Sequence, residues 1–192
     1  MGKGLKLPLF TSEDGQLQKR GYIIASDLGE GTYSKVKSAV WQRPGDKQPM
    51  KVAIKIINKR TAPKDFLEKF LPRELDILQI LNHRNIVRAY EIIHINTKTY
   101  ISLEWAGHGD LLQYVRLKGA LKESECRKFM SDLIEALEYC HGINIVHRDL
   151  KCENVQSVFD KMSYFGGKTV ISGQFWVKKR DFNRFRAKNM SF

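Results

Sequence analysis

His147-Arg148-Asp149-Leu150-Lys151-Cys152-Glu153-Asn154 sets a carboxylate, an ammonium and a carboxamide two and three residues apart. An aspartate can accept the proton of an attacking hydroxyl. A lysine can steady a phosphoryl group in transit, and an asparagine oxygen can ligate a metal ion. Together these are the parts of a phosphoryl-transfer loop. Such a loop is followed, about a dozen residues later, by a metal-binding Asp-Phe-Gly. The sequence contains no Asp-Phe-Gly. Asp181-Phe182-Asn183 comes nearest, 27 residues past Asn154, and Asn tolerates left-handed backbone. Lys178-Lys179-Arg180 precedes it where an apolar strand belongs, so this Asp-Phe reads as part of a charged tail.

Two further groups suit a phosphate-rich substrate. Gly29-Glu30-Gly31-Thr32-Tyr33-Ser34-Lys35-Val36 sets glycines between two strand-like runs, where backbone amides can approach phosphate oxygens. A dinucleotide fold would need a helix after the loop, and here a strand follows. Lys55, in Val52-Ala53-Ile54-Lys55, has apolar neighbours, so its stem is expected to be buried and its ammonium to need a partner. Glu74 lies nineteen residues on, within a helical pattern, and is the candidate partner.

The elements that must position these residues follow from periodicity. Residues 1–21 read as a loose lead-in. Strands are expected at 22–28, 34–40, 50–57, 86–95 and 99–104, and a helix over 64–81 with Pro72 as a complication. A short helix begins at Asp110. Residues 123–142 form the longest helix, with Phe129, Met130, Leu133, Ile134, Leu137 and Cys140 on one face. A strand-rich half followed by a helical half indicates the α+β class with two lobes.

With these motifs in order, the chain resembles the eukaryotic serine/threonine protein kinase domain, most closely the testis-specific serine/threonine kinase family. The resemblance rests on the glycine loop, Val52 to Lys55, Lys69-Phe70-Leu71-Pro72-Arg73-Glu74, Gly109-Asp110-Leu111-Leu112 and His147 through Asn154. It covers residues 22–154, with a small lobe over 22–104 and a partial large lobe over 105–154. It implies ATP and Mg²⁺ as cofactors. Gly29, Glu30, Gly31 and Val36 would cover the nucleotide, and Ala53 would roof the adenine. Lys55 would hold phosphates, with Glu74 holding Lys55. Glu104 to Ala106 would be the hinge, with Leu103 as gatekeeper, and Asp110 would reach the ribose. Asp149 would accept the substrate proton, Lys151 would steady the γ-phosphate and Asn154 would bind Mg²⁺. The implied partner is a protein bearing a Ser or Thr hydroxyl. Glu153 and Asp110 suit a basic peptide, although ordinary solvated acids fit them equally well.

After Asn154 the resemblance stops, and residues 155–192 read as a divergent tail. That tail carries eight Lys or Arg against two Asp, within a chain of 192 residues and net charge +12. Aromatic residues interleave with its basic ones, a pattern that can bind nucleic acid, although such binding is not the favoured reading. Gln156 falls where an apolar floor residue is expected. The missing metal acid and later helices imply weak or absent transfer, with a nucleotide- or partner-binding module as the alternative. They also leave the apolar face of 123–142 open to a partner. Apolar runs are too short to span a membrane, and the first residues lack the apolar core of a signal peptide. Three cysteines without metal spacing read as free thiols in a reducing compartment, which suggests the cytoplasm and leaves the nucleus open.

Overall fold

The computed structural model describes residues 13–107, 109–158, 168–173 and 175–177. Asp181 and its basic neighbours lie outside the described residues. The chain divides into two compact units, Met1–Ala62 with Glu91–Ser102 and Pro63–Tyr90 with Leu103–Phe192.

The first unit is built on a five-stranded sheet in the order β1-β2-β3-β5-β4. Its strands are β1 Tyr22–Glu30, β2 Ser34–Trp41, β3 Met50–Asn58, β4 Ala89–Ile95 and β5 Lys98–Glu104. The alternation read from sequence sets its two faces. Tyr22 pairs with Trp41, and Ala39 with Val52, and all four side chains are buried together with Ile54. The Tyr22 and Trp41 rings stack at 4.9 Å.

The lead-in expectation is corrected for residues 13–19. Glu13–Lys19 forms helix α1, with Leu17 fully buried. Glu13 Oε2 accepts from Lys98 Nζ at 2.6 Å and from Tyr100 Oη at 3.1 Å, both on β5. So short a helix has no stability of its own. Its one buried leucine and one ion pair form it, and neither leaves a periodic signal. Gly21, at φ 87°, then turns the chain into β1.

In the second unit, helix α2 (Leu71–Ile80) follows a single wide turn over Phe66–Phe70. The Leu71 amide bonds back five residues to the Phe66 carbonyl. A proline ring collides with the carbonyl four residues earlier in a regular helix. Widening the turn just before Pro72 moves that carbonyl aside, so the expected helix over 64–81 is present in two geometries. Helices α3 (Leu111–Lys118) and α4 (Glu123–Gly142) and strands β6 (Ile145–Val146), β7 (Val155–Val158), β8 (Lys168–Ile171) and β9 (Trp176–Val177) complete the unit. Their core joins Ile77, Leu81, Ile86, Ala136, Cys140, Ile145, Val155, Ile171 and Phe175.

Two expectations change here. The strand read from Ile86 begins at Ala89, because Ile86 bridges Ile171 and the Val87 amide donates to the Ile171 carbonyl at 3.0 Å. The segment after Asn154, read as a divergent tail, is partly folded. β7 and β8 form an antiparallel pair, and β6 pairs with β9. Val155, Val170, Ile171 and Phe175 are buried. Gln156 is half-buried and bridges Asp110 through its backbone. On α4, Ala136 and Cys140 are buried while Met130 and Ile134 remain 51% and 57% exposed. The helix therefore presents part of its apolar face outward, as its sequence suggested.

Gly21 gives a direct test of the turn into β1. A Cβ there would lie 2.0 Å from the Gln42 carbonyl oxygen, whereas one at Gly45, at φ 91°, would touch nothing within 4 Å. Gly21→Ala is expected to lose about 1–3 kcal/mol of stability. Gly45→Ala is expected to lose less, and urea unfolding monitored by tryptophan fluorescence would compare them.

Candidate functional site

In the first unit the strand register assembles one row of candidates. Gly29 lies opposite Val36, and Val36 lies opposite Lys55. Directly paired residues share a face, and so do residues two apart on a strand. Gly29, Val36, Lys55 and Ala53 therefore occupy one face, opposite the face that buries Val52 and Ile54. A Cβ at Gly29 would meet nothing within 4 Å, so packing within the chain does not account for that glycine. Gly31 closes the loop by donating its amide to the Ser34 carbonyl at 2.7 Å. Glu30 pairs with Lys35 at 3.2 Å on the exposed side. Such an exposed pair contributes little to stability.

In the second unit, Glu74 projects from α2 and is 8% exposed. Glu104 donates its backbone amide to the Arg88 carbonyl at 2.8 Å, and its Oε2 accepts from the Arg88 amide at 3.2 Å. Ala106 follows it, half-buried. Asp110 caps α3, with Oδ1 accepting from the Gln113 amide at 2.8 Å. Its second carboxylate oxygen is not used in the cap.

The catalytic-type loop is assembled around Asp149. Lys151 Nζ lies 3.1 Å from Asp149 Oδ2. Asn154 Nδ2 donates to the Asp149 carbonyl at 2.7 Å and to its Oδ2 at 3.1 Å. The hydrogen bond from Lys151 is the largest influence holding the Asp149 carboxyl below its usual range, with Asn154 acting in the same direction. Arg148, at φ 61°, adopts a left-handed conformation disfavoured for non-glycine residues.

The segment Lys168–Gly173 closes on this loop. Ser172 donates its amide to the Asn154 carbonyl at 2.9 Å. His147, 3% exposed, donates Nε2–H to the Ser172 carbonyl at 2.7 Å, and its ring packs edge-on against Phe175. β8 is held in turn by two buried side chains. Asn85 Nδ2 donates to the Thr169 carbonyl at 2.8 Å, and Asp132 Oδ2 accepts from the Thr169 amide at 3.1 Å. Sequence reading missed Asn85, Asp132 and Ser172. Asp132 lies on a helix whose pattern reads as solvent-facing at that position, and no local spacing links it to Thr169.

Mg²⁺ is usually held by one or two carboxylates together with phosphate oxygens. Here Asn154 offers an amide, and Asp149 is already ion-paired. Ser172 and Gly173 bring no carboxylate. Among the described residues no group of three His, Cys, Asp or Glu side chains is placed to hold a metal. This donor set does not fit the ion that the motif implies.

A family model described as the protein kinase domain matches residues 22–168. The chain belongs to the protein kinase family. It is 50% identical over 154 residues to testis-specific serine/threonine-protein kinase 1 of Mus musculus, covering 78% of this chain and 41% of that protein. It is 46% identical to kinase 2 of the same name from Mus musculus over 154 residues, covering 78% of this chain and 42% of that protein. Kinase 3 from Mus musculus is 42% identical over 158 residues, covering 81% of this chain and 58% of that protein. The chain thus spans well under two thirds of these relatives' lengths. The kinase match continues past Asn154 to residue 168, which takes in β7.

Two outcomes follow from this geometry. Asp132→Ala leaves the buried Thr169 amide without an acceptor and is expected to destabilise the chain by about 1–3 kcal/mol, read by thermal unfolding. Lys151→Ala removes the main influence depressing Asp149. Asp149 titrates below its ordinary carboxyl value in the native chain and is expected to titrate closer to that value in the variant, as followed by carboxyl carbon NMR shifts.

Proposed function

We propose that this kinase-family chain binds ATP through its glycine loop and Lys55, and that its phosphoryl transfer to protein Ser or Thr hydroxyls is weak or absent. One observation carries the second half. The segment closing on Asn154 supplies no carboxylate, while the rest of the loop is assembled. Phosphoryl transfer depends on neutralising the charge of the moving group, and among the described residues of this loop Lys151 brings positive charge to that task.

The roles follow from chemistry and position. The Gly29–Val36–Lys55 row offers an open strand face, backbone amides and an ammonium, which suit the adenine ring and phosphates. Glu74 is the proposed partner of Lys55, Ala53 the adenine roof, Glu104 and Ala106 the hinge, and Asp110 the ribose contact. Asp149 would orient a substrate hydroxyl. Its depressed titration makes it a weak base, better suited to positioning than to removing a proton early. A basic peptide approaching Glu153 and Asp110 is the proposed substrate class. No described helix is long and apolar enough to cross a membrane.

ATP is expected to raise the thermal midpoint of the purified chain, and Lys55→Met to remove that shift. Transfer of labelled phosphate to a general protein substrate is expected to stay at background. Strong phosphorylation that disappears in Asp149→Asn would contradict the reading.

A further inference from the structure

The immediate surroundings of Asn154 say more about the nucleotide's counter-ion. Both bonds from Asn154 Nδ2 go to Asp149, one to its carbonyl and one to Oδ2. That leaves the amide oxygen as the side chain's remaining donor to a cation. Beside it stands the backbone of Gly173 rather than a side chain. A Cβ at Gly173 would lie 3.1 Å from both Asn154 Cγ and Nδ2 and 3.0 Å from His147 Cε1. Gly173 also has φ 122°, where L side chains are strained. No acidic residue fits at that position.

Ser172 is the adjacent residue. Its amide and carbonyl are both committed, to the Asn154 carbonyl and to His147 Nε2. It already carries a side chain, and that side chain is a neutral hydroxyl. The hydrogen bonds through Ser172 hold the loop together from within, a task that a bound cation with ligands on both segments would otherwise perform. The ammonium of Lys151 supplies positive charge at Asp149 without any ion.

We infer that nucleotide binding by this chain needs no divalent cation, and that residue 172 is the position that decides this. The inference rests on the nucleotide-binding reading above and goes beyond it. A chain that merely lost activity could still take its nucleotide as the metal complex. This chain takes the free nucleotide, its loop held by the Ser172 hydrogen bonds and by the Lys151–Asp149 pair. Residue 172 is bonded through its backbone amide to the Asn154 carbonyl, so a carboxylate introduced there joins the Asn154 segment and supplies the missing ligand type.

The test uses the full chain and ADP, with Mn²⁺ as the probe for a divalent site. ADP affinity is measured by calorimetry in EDTA and in Mn²⁺. Protein-bound Mn²⁺ is measured separately by electron paramagnetic resonance, with ADP present. For the native chain, the two ADP affinities are expected to agree within about twofold, and no Mn²⁺ should be bound beyond that held by ADP in solution. Ser172→Asp is expected to take up Mn²⁺ and to bind ADP at least about tenfold more tightly with the metal than without it. Adding Asn154→Ala to that variant should release the ion.

A native chain that holds Mn²⁺ and releases it in Asn154→Ala would overturn the inference, as would a folded Ser172→Asp chain that takes up none. ADP binding by the native chain only with Mn²⁺ would sink this inference while leaving the nucleotide-binding reading intact. Absence of ADP binding under both conditions would sink both.

Discussion

A single buried residue, Thr169, ties together three elements of the second unit through its backbone amide and carbonyl. Its carbonyl takes a hydrogen bond from Asn85 and its amide gives one to Asp132. Asn85 is 1% exposed and Asp132 8%, so neither bond is easily replaced by water. A buried peptide group left unpaired costs as much as several ordinary surface contacts contribute. The two side chains come from elements far apart in sequence, the turn after α2 and the middle of α4. Satisfying this one strand residue therefore ties both to β8. The same turn is tied to α4 by Arg84, which lies 2.6 Å from Glu135, and by Tyr139, whose ring stacks on His83.

From that anchor the loop geometry follows. β8 is paired with β7, and β7 leaves directly from Asn154. One residue past β8, Ser172 reaches Asn154 and His147. The disfavoured conformation of Arg148 is held because residues on both sides of it are bonded. The arrangement keeps Lys151 and Asn154 within hydrogen-bonding distance of Asp149. It is a kinase-family loop met by the two residues beyond β8, Ser172 and Gly173, neither of which is an acid.

Much of this was legible in sequence, for reasons specific to each element. The apolar neighbours in Val52-Ala53-Ile54-Lys55 predict a covered Lys55 stem, and Lys55 is half-buried. The apolar spacing of α4 and the asparagine-closed loop were equally local signals. Pro72 announced a disturbed helix start, although not that a wide turn would accommodate it. The misses share one cause. α1 exists because of Leu17 and an ion pair to β5. β8 exists because of Asn85 and Asp132. These are long-range contacts with no periodic trace, and the basic, aromatic composition after Asn154 disguised a strand pair as a tail. Asp132 sits on the helix as an ordinary acid until its partner is known.

Strand β8 and the residue after it hold the Asp149–Asn154 loop in order. Native-state hydrogen exchange at single amides tests this most directly. The amides of Asp149, Asn154, Thr169 and Ser172 all donate within this assembly. They are expected to be protected to a similar degree and to open together. Ser172 and Thr169 exchanging at the rate of an unstructured peptide, with Asp149 and Asn154 still protected, would contradict it.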